Sequence, residues 1–137
     1  MKKSISIVVL CILTTVCLCG CGGSTRLSES FDENTVKETA QKAVDCLISG
    51  EYEDCVAMMG QEMREALPAE ALETNVAPVI EQAGAFQEYK SITVVGQKGS
   101  DGADCAVAVV VASFEKGKLT YTISFDAGME IIGLWMK

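Results

Sequence analysis

From residue 32 onward the apolar positions recur with two different periods, three-to-four before Gly84 and two after Phe86. Measured from Val36 at about 100° per residue, Ala40, Ala43, Val44, Leu47 and Ile48 share one arc, with Glu38, Lys42 and Asp45 opposite. This predicts a helix capped by Asp32 or Asn34, running to about Ser49 and ended by Gly50 in a left-handed conformation. A second, short helix over about 51–59 would turn Tyr52, Cys55, Val56 and Met59 to one side. After Gly60 come residues 61–67, and then a helix opened by Pro68 that carries Ala71, Leu72, Val76, Val79 and Ile80 toward Gly84. Pro78 lies inside that helix and is expected to kink or split it.

The two-residue period predicts strands at about 87–96, 104–115, 118–126 and 129–136, with Lys116-Gly117 and Ala127-Gly128 as two-residue hairpin turns. These turns would set Glu115 opposite Lys118. Ala108, Val110, Ala112, Phe114, Leu119, Tyr121, Ile123, Phe125, Ile132, Leu134 and Met136 then share one almost wholly apolar face, which the helices should cover. The expected fold is α+β, with N-terminal helices packed on a curved antiparallel sheet of about four strands. The other face gathers Val107, Val109, Val111, Thr120, Thr122, Ser124, Met129, Ile131 and Trp135, where a solvated sheet would carry Lys and Glu. Plain β-propensity accounts for such a face, and so does a partner surface. Val107, Val109, Val111, Ile131 and Trp135 are the candidate interaction residues.

The first 20 residues have the pattern of a leader. Met1-Lys2-Lys3 is followed by an apolar stretch from Ser4 to Leu18, too short for a comfortable membrane span. Leu18-Cys19-Gly20-Cys21 resembles the lipobox of bacterial lipoproteins, in which the +1 cysteine receives a diacylglycerol. Only Cys21 puts a small residue at −1, since Cys19 would put Leu18 there and Cys17 would put Val16. The expected organisation is a signal peptide over 1–20, a lipidated Cys21 with a flexible tether over 21–31, and one α+β domain over 32–137. Two acyl chains anchor stably where one binds marginally. The protein would therefore sit on the extracytoplasmic side of the cell membrane.

Charge and composition narrow the chemistry. The 137 residues hold 19 acids against 11 bases, and removing Lys2 and Lys3 with the leader leaves a net charge of −10. Nucleic acid, which is bound through clustered Lys and Arg, is excluded as a partner. That charge should also keep the domain off an anionic membrane surface. Histidine is absent, which removes Ser–His–Asp and Cys–His catalysis and the His-bearing zinc sites. No cofactor or metal is expected.

Cys46 and Cys55 lie symmetrically about Gly50, each on the apolar side of its helix, and are either a disulfide across a helical hairpin or two buried thiols. Cys105 falls on the second sheet face with no basic neighbour to activate it. Asp101 and Asp104 lack the ligand count of a calcium loop and read as a hairpin tip. Repeated acids such as Glu51, Glu53 and Asp54, or Glu70 and Glu73, open helices, where carboxylates suit the dipole.

Ser49-Gly50-Glu51-Tyr52, Gly84-Ala85-Phe86, Phe114-Glu115, Phe125-Asp126 and Ile132-Gly133-Leu134-Trp135 together resemble a bacterial lipoprotein family of unknown function with the cone-shaped nuclear-transport-factor-2-like fold. The resemblance covers nearly all of residues 32–137, and the same domain occurs ahead of some secreted α/β-hydrolases. It implies a pocket between sheet and helices, for which Tyr52, Tyr121 and Glu130 are the polar candidates. It implies no known catalytic residue. The expected function is a lipid-anchored, non-catalytic module for self-association or protein interaction. A small-ligand or peptide binder using the cone interior is the alternative, and a small hydrolase or isomerase ranks third.

Overall fold

A computed structural model of the chain describes residues 26–137. The leader and Cys21 lie outside the described residues. Four helices come first: α1 (Glu33–Ser49), α2 (Tyr52–Ala57), α3 (Gln61–Ala66) and α4 (Ala69–Ala83). Four strands follow: β1 (Phe86–Lys98), β2 (Asp104–Phe114), β3 (Gly117–Phe125) and β4 (Ile131–Met136). They form one antiparallel meander in the order β1-β2-β3-β4. The α+β architecture is the expected one. No helix among the described residues is long and apolar enough to cross a membrane.

Local chemistry sets the ends of α1. Asp32 accepts a hydrogen bond from the Thr35 amide at 2.8 Å, and Gly50 takes a left-handed φ of 79° and returns its N–H to the Cys46 carbonyl. The buried side of α1 is Val36, Ala40, Ala43, Val44, Cys46 and Leu47. It packs on Ala108, Val110, Ala112, Tyr121, Ile123 and Phe125 of the sheet's inner face to form one core. α4 is not split, because it continues through Pro78 to Ala83. The proline leaves the Thr74 carbonyl without its intrahelical partner.

Both hairpins differ from expectation. At the first, Phe114 pairs with Gly117 and Ser113 with Lys118, so the pair of Glu115 with Lys118 is not made. Glu115 and Lys116 form the turn because their amides are used elsewhere, on the carbonyls of Ala85 and Ala83. The shift preserves the alternation, so every side chain keeps its face. At the second hairpin the loop runs longer. Asp126 Oδ1 accepts from the amides of Gly128 and Glu130, and Met129 takes a φ of 62°. Ser124 pairs with Gly133 but Phe125 pairs with Ile131, which leaves Ile132 as the extra residue of a bulge. Ile131 is thereby turned inward and fully buried.

The body also begins earlier than the expected boundary at 32. Phe31 is buried and Leu27 packs against the core. A Cβ on Gly96 would lie 3.0 Å from the Leu27 Cα and 2.8 Å from the Arg26 carbonyl carbon, so residues 26–27 rest directly on the β1 backbone. The expected tether over 21–31 is therefore docked from Arg26 onward.

Candidate functional site

The strand register assembles the outer sheet face row by row. Thr93, Val109, Thr122 and Trp135 stand side by side across all four strands. Val95, Val107, Ser124 and Gly133 form the next row, and Ser91, Val111 and Thr120 the row beyond. None of these side chains is charged. Charge appears at the margin, with Lys118 beside Ser113 and Glu88 paired with Lys90. Val109, Val111 and Trp135 are half-buried, and Val107 is buried although it lies outside the main core cluster. Of the expected interaction residues these four share the face. Ile131 does not, because the bulge at Ile132 reverses its direction. The β1 contribution of Ser91, Thr93 and Val95 extends the face beyond the expected set, and the polar–apolar alternation of Ser91-Ile92-Thr93-Val94 was the signal for it.

The three polar pocket candidates occupy three separate places. Tyr52 lines a surface cleft of about 470 Å³ with Glu51, Glu53, Asp54, Glu70 and Glu73. Burial and the nearby Glu73 carboxylate raise its hydroxyl pKa. Glu130 is exposed beside Gly60 at the start of β4. Tyr121 is fully buried at the centre of β3, and its hydroxyl finds no hydrogen-bond partner. Burial holds that hydroxyl far above its ordinary range. A second tyrosine, Tyr89 on β1, donates to the Asp45 carboxylate on α1. Its pKa is likewise strongly raised, first by burial and then by Asp45.

Cys46 and Cys55 both face the core and stand as separate thiols. Burial pushes Cys55 up to about 12, with the neighbouring Cys46 adding to the shift. Cys46 is raised by burial and then by Glu51 and Asp54. Near neutral pH both stay protonated, which leaves no thiolate for nucleophilic work. Cys105 is buried, its Sγ 3.8 Å from the Ala103 carbonyl oxygen. Asp101 caps the β1–β2 turn through the Ala103 amide at 3.0 Å, and Asp104 pairs with Lys98, as a hairpin tip requires. Among the described residues no three His, Cys, Asp or Glu side chains are grouped to hold a metal ion.

Helices packed on one face of a four-stranded meander, with the opposite face uncharged, define a small α+β domain. Residues 40–134 match the model of the DUF3887 family, proteins of unknown function, and the chain belongs to that family. It is also similar to a protein from Ruminococcus gnavus ATCC 29149 whose structure was solved by NMR. The identity is 23%, the TM-score is 0.71, and the match covers 82% of this chain and 96% of that one. That likeness is one of fold. No curated protein matches the chain.

Proposed function

We propose that the protein is a lipid-anchored, extracytoplasmic module with no catalytic role of its own, which pairs with a second copy of itself through the outer sheet face. The observation that carries this reading is the uncharged face around Val109, Thr122 and Trp135 in a chain with 19 acids against 11 bases. Two copies meeting through helices rich in Glu and Asp repel one another, whereas two outer faces meet without that cost. A semi-exposed tryptophan flanked by valine and threonine supplies the aromatic centre that such contacts favour. The anchor rests on Leu18-Cys19-Gly20-Cys21 behind a leader of the right size. The perturbed groups also support a non-catalytic reading, since burial holds the thiols of Cys46 and Cys55 protonated near pH 7.

Light scattering on residues 24–137 tests the pairing. A dimer is expected, and Trp135→Glu should return it to the monomer. A monomer at every concentration tried, unaltered by Trp135→Glu, refutes the paired state. Intact mass of the membrane-extracted protein tests the anchor, with an acylated chain beginning at Cys21 as the expected species.

A further inference from the structure

We infer that the segment after Cys21 is a short leash that holds the β1–β2 end of the body at the phospholipid headgroup surface. The inference rests on the acylation of Cys21 proposed above and goes beyond it, since an anchor by itself leaves orientation free.

The leash is short because the strap behind it is seated. Arg26 and Leu27 lie on Gly96, where even a methyl group would collide with their backbone. Leu27 and Phe31 pack into the core, and the Phe31 amide donates to the Ser28 carbonyl at 3.0 Å. A hydrogen bond from Ser28 also reaches Asp104, helping Lys98 hold that carboxyl below its usual range. The strap is thus fastened to both strands of the β1–β2 hairpin. Five peptide steps separate Cys21 from Arg26, and fully extended they span at most about 18 Å. A tether that stayed free to residue 31 would allow roughly twice that reach.

The leash enters at one end of the body. β2 has 11 residues and extends roughly 35 Å from Asp104 beside the strap to Phe114 at the opposite end. α1 runs the same way. Its first residues share a cleft with Arg26, Leu27, Val94 and Val95, and after roughly 20 Å of rise its Asp45 meets Tyr89 near the far end of β1.

The test uses the chain from Cys21 onward, coupled through Cys21 to a maleimide lipid, because the thiols of Cys46, Cys55 and Cys105 are buried. It is bound to phosphatidylcholine vesicles containing a minority of phosphatidylglycerol and a headgroup-labelled acceptor lipid. A fluorescent amino acid is placed at Ser100 in one protein and at Lys116 in another, both exposed positions at opposite ends of β2. Energy transfer to the acceptor should be several-fold greater from position 100. Inserting about twelve Gly and Ser residues between Gly23 and Ser24 should erase most of the difference. Equal transfer from both positions overturns the inference, and so does a difference that survives the insertion. Since the lipid is attached chemically, these outcomes do not depend on whether the cell acylates Cys21, which intact mass decides separately.

Discussion

Tyr121 keeps a hydroxyl in the core with nothing to bond to, while Tyr89, one strand beyond β2, spends its own on Asp45. A desolvated, unpaired hydroxyl costs stability, whereas removing one half of a made bond loses it. Tyr121→Phe should therefore leave stability unchanged or raise it by about 1 kcal/mol, and Tyr89→Phe should lower it by about 1 kcal/mol. Urea denaturation of both variants checks the contrast, and a destabilised Tyr121→Phe would reveal a partner such as a buried water. Asp32 gives a pH dependence of known sign. Its bonds to Thr35, amide first and hydroxyl second, depress its pKa in the folded chain. The stability it contributes is present above the unfolded value and lost as pH falls through the folded one. Thermal melts between pH 6 and about 2 should show this part of the acid destabilisation vanish in Asp32→Ala. The cap was legible because Asp32 sits one turn before an amphipathic run. The orphan hydroxyl was not, since the alternation puts Tyr121 inside without saying what its oxygen meets.

At the scale of elements, both strand faces were readable except where a backbone irregularity intervened. A shift of turn from Lys116-Gly117 to Glu115-Lys116 moved partners but no faces, because it kept the parity of the pairing. The bulge at Ile132 changed that parity within one strand and sent Ile131 into the core. Ile131 and Ile132 are adjacent and chemically identical, so their pattern is silent about which one points inward. Mutation separates them: Ile131→Ala should cost about 2–5 kcal/mol as a cavity in packed core, and Ile132→Ala well under half of that. The opposite ranking in denaturant titrations would restore the simpler hairpin. Irregularity also shapes the free edge of β1, where register shifts near Gln87 and Lys90 and a lysine on the strand discourage edge-to-edge pairing.

For the molecule as a whole, the proposed self-association and the proposed membrane attachment place different demands on different parts, and the parts are separable. Trp135 stands half-buried on the face away from the core, so Trp135→Glu should abolish pairing while the thermal midpoint of the monomer moves by no more than a few degrees. A collapse in the far-ultraviolet circular dichroism of that variant would instead make Trp135 a structural residue. The charge balance of the chain was visible in its composition, but the gathering of Glu51, Glu53, Asp54, Glu70 and Glu73 around one cleft depended on how the helices docked. The docked strap was hidden for a related reason: Leu27 and Phe31 are isolated apolar residues in a polar run, too few to show a period. One further contact has consequences for how the molecule is made. Met58 and Gly60, in the middle of the helical half, hydrogen-bond to both backbone groups of Ile131, the first residue of the last strand. A chain emerging N-terminus first can form its early helices but cannot seat residues 58–60 until its final few residues have arrived. A nascent copy truncated just before residue 131 would lack that clasp, and its 58–60 segment should lie within reach of proteases and folding helpers.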